Sequence, residues 1–111
     1  MKYGMVLSLL LLSALLEAGG DAVVRAGLLS PAGSKKILLL GGGGLALFAY
    51  GCLVNRAPWE FGRLIGVYVV FVFLVAQAIS WLAFGQRPSA EIWLGGALIV
   101  LGGLVISARL L

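Results

Sequence analysis

Few residues in this chain can do chemistry, and three of them share one apolar stretch. Glu17, Asp21 and Arg25 recur at four-residue intervals within "LLSALLEAGGDAVVRAGL", residues 11 to 28. On a helix that spacing sets the side chains on one face, one turn apart. A charge at the centre of a membrane costs about 2.5 to 3.5 kcal/mol, whereas each Leu or Val returns about 0.3 to 0.6. Three unpaired charges would cost roughly 9 kcal/mol against roughly 5 from the surrounding Leu and Val. The imbalance closes if Arg25 extends to the interface and Asp21, one turn earlier, pairs with it. Glu17 is then left as a carboxyl that must face a bundle interior or a water-filled cavity. Removal from water and the neighbouring Asp21 both penalise its charged form. Such a carboxyl is the expected site for a proton and a cation to share. The plainer alternative is a protonated Glu that hydrogen-bonds a neighbouring helix.

Around Glu17 lie Ser13, one turn before, and Gly20, one turn after. With Asp21 they form a small, partly polar strip that lets another helix or a ligand approach closely. Tyr50 and Tyr68 lie inside later apolar runs, where a ring face attracts organic cations and a hydroxyl can reach a carboxylate. Ordinary packing is the alternative for both. Trp59, Trp81 and Trp93 fall near expected helix ends, as interfacial anchors do.

Other chemistries are excluded by what is missing. The chain has no His and a single Cys, Cys52, which rules out a disulfide framework and leaves no paired-His or Cys-based metal site. "GGGG" at 41 to 44 has no following Lys-Ser or Lys-Thr, so it is not a phosphate-binding loop. It reads instead as a site of close helix packing or bending. No enzyme, cofactor or nucleic-acid partner is implied. The net charge of +4 lies mainly in the loops, where it suits anionic headgroups.

These residues must be positioned by membrane helices. With 62% hydrophobic and 11% charged residues in 111, the chain carries more apolar surface than a small soluble domain can bury. Four apolar runs, about 3 to 26, 37 to 54, 64 to 84 and 92 to 111, approach the roughly 20 residues that cross about 30 Å of hydrocarbon. Breakers separate them at "SPAGSKK", "NRAPWEF" and "GQRPSAE". The expected architecture is a single all-α domain over residues 1 to 111 with four transmembrane helices. Entry near Tyr3 would put Glu17 roughly 21 Å into the hydrocarbon, with Asp21 near the far edge and Arg25 beyond it. The first run also has the outline of a secretory signal, with Lys2, an apolar stretch and small residues at 18 to 20, but cleavage there would discard Glu17.

Flanking charges fix no orientation. Lys2, Arg56, Arg63 and Arg109 fall on one side; Arg25, Lys35, Lys36 and Arg87 fall on the other. Equal counts suggest insertion both ways and an antiparallel, dual-topology homodimer. In the fourth run Gly95 and Gly102 lie seven residues apart, with Gly96 and Gly103 beside them, a small-residue groove suited to a dimer contact or to packing within the chain.

The segment "ISWLAFGQRPSAEIWLGGALIVLGGLVIS", residues 79 to 107, resembles the third-to-fourth-helix region of the small multidrug resistance family. "LLEAGG" places Glu17 where that family keeps its essential first-helix carboxylate. "LALFAYGCLVNRAPWEFGRLIGVY" is similar to its YnfA-type branch. The resemblance implies a four-helix subunit of an antiparallel dimer in a bacterial inner membrane, exchanging protons for a cationic substrate by alternating access. Glu17 of each subunit would bind either protons or the cation, and the fourth helices around Gly95 and Gly102 would form the dimer contact. Two features depart from the family pattern: Tyr68 stands where its exporters usually carry Trp, and Asp21 and Arg25 are additional polar residues near the binding face, of which a cation near Arg25 is familiar in the family and Asp21 is not carried over from it. The alternative functions are a flippase component for lipid-linked sugars, a group that typically lacks the Glu, and a nontransporting assembly subunit.

Overall fold

The computed structural model describes residues 2–108 and contains four α-helices: α1 Tyr3–Leu29, α2 Ser34–Val54, α3 Phe61–Phe84 and α4 Ala90–Ser107. Each is long and apolar enough to span a membrane, which makes the chain a multi-pass membrane protein.

Local sequence explains each boundary. Ser30 leaves the helical region just before Pro31, whose ring disfavours helix in the residue it follows. The side chain of Lys36 then turns back on α1, its Nζ donating to the carbonyls of Leu28 and Ser30 at 3.3 Å each. A cation there suits the negative end of the helix dipole. α3 stops at Gly85, which takes φ +64°, while the backbone N–H groups of Gly85 and Gln86 donate to the carbonyls of Trp81 and Ser80. Only glycine adopts that left-handed conformation without strain. α4 starts behind Ser89, whose Oγ accepts from the Ile92 N–H at 3.4 Å.

All four observed helices depart from the apolar runs: α2, α3 and α4 start earlier, at Ser34, Phe61 and Ala90, where polar residues add to the first turn, and α1 and α4 differ at their C-terminal ends. α1 continues three residues past 26, because the Lys36 cap and Ser30 hold its last turn together. Its 27 residues measure about 40 Å, so centring it on the hydrocarbon brings Glu17 within about 2 Å of the midplane and leaves Arg25 about 13 to 14 Å from it. α4 is described only to Ser107; the expected extension to 111 and Arg109 lie outside the described residues.

The helices pack in the order α2, α1, α3, α4. α1 meets both α2 and α3, whereas α4 meets α3 alone. The result is a slab of about 49 × 34 × 19 Å. Its core lies toward the end where α2 passes into α3, where Val6, Leu10 and Ala14 of α1 meet Val54 and Ala57 and, from α3, Leu64, Val67 and Tyr68. Tyr3 and Trp59 close that end, with ring centroids 5.9 Å apart.

Glycine sets the separation of two helix pairs. At the α1–α2 crossing Gly20 faces Gly43, and a Cβ on Gly43 would stand 2.9 Å from the Gly20 carbonyl and 2.6 Å from Val24 Cγ2. Gly41, Gly42 and Gly44 have open space where a Cβ would stand. Between α3 and α4, Gly96 receives the Phe73 ring and Gly103 receives Val70, while Gly95 and Gly102 stay open.

Candidate functional site

The site is built on one turn of α1. Ala14 and Ala18 are buried in the packing face, and Glu17, between them, is only partly buried. Small residues there let α2 and α3 both come close to the carboxyl group. From α3, Tyr68 is 2% exposed, and its hydroxyl donates to Glu17 Oε1 at 2.8 Å. From α2, Tyr50 stacks on Tyr68 with centroids 5.6 Å apart and planes 16° from parallel, and lies close enough to the same carboxyl to interact with it. Gly43 and Tyr50 are seven residues apart on α2 and share a face, so the close glycine crossing also brings Tyr50 to its partners.

This arrangement can hold a charge in two states. A carboxylate that accepts from a buried Tyr hydroxyl is stabilised more than one facing hydrocarbon, since a hydrogen bond to a charged group is worth about 1.5 to 3 kcal/mol. A cation approaching Glu17 meets a carboxylate oxygen beside the half-buried Tyr50 ring, whose π system attracts positive charge, while Tyr68 is covered and offers the carboxyl its hydroxyl. A proton competes for the same oxygens.

The remaining sequence candidates have different surroundings. Ser13 is fully buried, and its hydroxyl donates to the Leu9 carbonyl of its own helix at 2.8 Å, which leaves only lone pairs for a ligand. Gly20 belongs to the helix crossing, against Gly43, Ala46 and Leu47. Asp21 does not pair with Arg25. The Arg25 guanidinium instead lies 5.4 Å from the centroid of the Phe84 ring on α3. A cation so placed gains an aromatic face while its side chain covers apolar surface. The described residues contain one ion pair, Arg63 with Glu60 at 3.7 Å, near the start of α3.

Four residues of this region escaped the sequence reading. Asp21 and Arg25 line a pocket of about 260 Å³ between α1 and α3, together with Ser80, Phe84 and Gln86, and with Ala18 next to Glu17. Ser80 donates to Gln86 Oε1 at 3.0 Å across the C-terminus of α3. A Ser and a Gln beside an apolar run were visible signals, but only the fold sets them against α1. Likewise Gln77, an amide in the middle of α3, faces an apolar groove of about 560 Å³ between α3 and α4. Trp81 borders that groove, and Arg87 lies 5.7 Å from its ring.

No family model matches the chain, and no curated protein or solved structure matches it either.

Proposed function

We propose that this chain is the subunit of a proton-coupled transporter of the small multidrug resistance type, which exports a small or lipophilic cation from a bacterial cell across its inner membrane. The observation that carries the reading is the carboxyl of Glu17, in the middle of the membrane-length helix α1, held by the Tyr68 hydroxyl and flanked by the Tyr50 ring. A cation and a proton exclude one another there. Binding a cation to the protonated site forms a carboxylate–cation pair and releases one proton; protonation from the opposite side displaces the cation. Each ligand favours a different outward- or inward-open packing through its differential affinity.

In this reading the transporter is an antiparallel homodimer. The slab shape supports it, because 19 Å is less than two helix diameters and gives a single subunit little enclosed interior. Open space at Gly95 and Gly102 supports their role as the dimer contact, while Gly96 and Gly103 serve α3. The equal flanking charges support insertion in both orientations.

The test is proton release from purified protein in detergent on addition of guanidinium or a quaternary ammonium ion. Release is expected from the native chain and not from Glu17→Gln. Release that persists in Glu17→Gln refutes the shared site.

A second reading has its own support: α4 meets only α3 and leaves an apolar groove open, as a subunit that docks on a larger membrane partner would. Copurification of a stoichiometric second chain, with no transport in liposomes by this chain alone, would favour it.

A further inference from the structure

The pocket between α1 and α3 lies outside the contacts that hold Glu17, and its walls carry Asp21, Arg25, Ser80 and Gln86. It starts beside Ala18, the neighbour of Glu17, and ends at Phe84 and Gln86 near the α3–α4 connection. Asp21 lies along it, one helical turn from Glu17 and closer to the membrane face. Two features keep that carboxylate open. Arg25, its natural partner at i+4, is held on the Phe84 ring. Ser80 donates to Gln86 Oε1 across the far wall, which leaves lone pairs on both oxygens. The charged and titratable groups around Asp21 are Glu17 and Arg25 on α1, Tyr50 on α2 and Tyr68 on α3; the pocket residues contributed by α3 and the following loop are uncharged.

We propose that this pocket is a capture station for the transported cation, in which Asp21 draws the cation in from the membrane face and passes it one turn along α1 to Glu17. The inference rests on the exchange reading of Glu17. The volume, about 260 Å³, admits a small organic cation with some of its water. Asp21 supplies the opposite charge; Ser80 and Gln86 supply acceptors for N–H groups. The move to Glu17 covers about 6 Å, the rise of four helical residues. Arg25 lines the same pocket and offsets part of the Asp21 charge, which weakens retention of the cation as well as its attraction. Asp21 thus acts on the rate of arrival, and Glu17 fixes the proton stoichiometry.

Rate and amplitude separate the two roles. In stopped-flow proton release with guanidinium at low ionic strength, Asp21→Asn should slow the initial rate about tenfold and leave the amplitude at saturation unchanged. The deficit should shrink as salt approaches about 0.5 M, where screening acts within a few ångströms, and Asp21→Glu should restore the rate. An unchanged rate in Asp21→Asn overturns the proposal. So does a slowing that ignores salt, which marks a structural role, or an amplitude lost as in Glu17→Gln, which puts Asp21 in the exchange site itself. Equilibrium binding of labelled guanidinium to Glu17→Gln reads the station without the exchange. Residual binding that disappears in the Glu17→Gln, Asp21→Asn double variant supports the station even if the native chain releases no proton, and absence of that binding overturns it.

Discussion

Replacing Gly43 with Ala adds one methyl group at the α1–α2 crossing, and the structure states what that group meets. The new Cβ would lie 2.6 Å from Val24 Cγ2, 2.9 Å from the Gly20 carbonyl oxygen and 3.0 Å from the Val24 backbone nitrogen. Val24 can change rotamer, but the two backbone atoms cannot yield without moving the helix. α2 must therefore retreat by a few tenths of an ångström. Overpacking of this kind costs about 1 to 3 kcal/mol. Exchanging Gly for Ala in a helix returns up to about 1 kcal/mol, and the adjacent Gly44→Ala receives that gain with nothing in its way. Since both variants share the propensity gain, their difference isolates the clash. Gly43→Ala should be about 1 to 3 kcal/mol less stable than Gly44→Ala when folded protein in mixed micelles is titrated with SDS and followed by tryptophan fluorescence. The same retreat draws Tyr50 away from Tyr68, two turns along the same face of α2. Equal unfolding midpoints for the two variants would refute the glycine crossing, and with it the account of how Tyr50 is positioned.

Three further outcomes are expected. Tyr68→Phe removes the donor 2.8 Å from Glu17 and should cost about 1 to 3 kcal/mol in the same titration, with a shift in the infrared carboxyl band that Glu17→Gln abolishes; an unmoved band would show that the bond is not made. Lys36→Met removes the side chain that closes the C-terminus of α1 and should lower stability by about 0.5 to 1.5 kcal/mol, with hydrogen exchange accelerated at residues 28 to 36 and unchanged near Gly85. Gly103→Leu should part α4 from α3 and destabilise the single subunit, whereas Gly102→Leu, which points into open space, should leave subunit stability intact and weaken the proposed dimer in cross-linking; identical behaviour of the pair would remove the two-faced reading of α4.

Helix number and approximate extent were legible because apolar runs of membrane length are separated by Pro, Gly and charged breakers, and those signals act locally. Glu17 was legible as an anomaly: a carboxyl amid Leu and Ala demands a partner. Which partner was not. Tyr50 and Tyr68 were cavity candidates on residue type alone, and only the crossing of three helices brings one hydroxyl to the carboxyl and one ring to the other. The expected Asp21–Arg25 pair failed for the complementary reason. Spacing on α1 favours it, but Phe84, far away in sequence, offers the guanidinium an aromatic face. In "GGGG" four identical residues carry no mark of the one that meets α1, and the Gly95–Gly96 and Gly102–Gly103 doublets likewise hide which member faces α3. Helix phase decides both, and phase depends on the partner helix.

The place of α4 at the end of the packing order has a mechanical meaning. α4 touches the rest of the subunit only through α3, on the face that carries Gly66, Val70 and Phe73. Tyr68 looks out from the opposite face. Anything that pushes on α4, whether a second subunit or bilayer tension, reaches Glu17 as tilt or rotation of one stiff rod. α3 is a lever with the load at one face and the tyrosine hydroxyl at the other, and its fulcrum is the buried cluster around Leu64 and Val67.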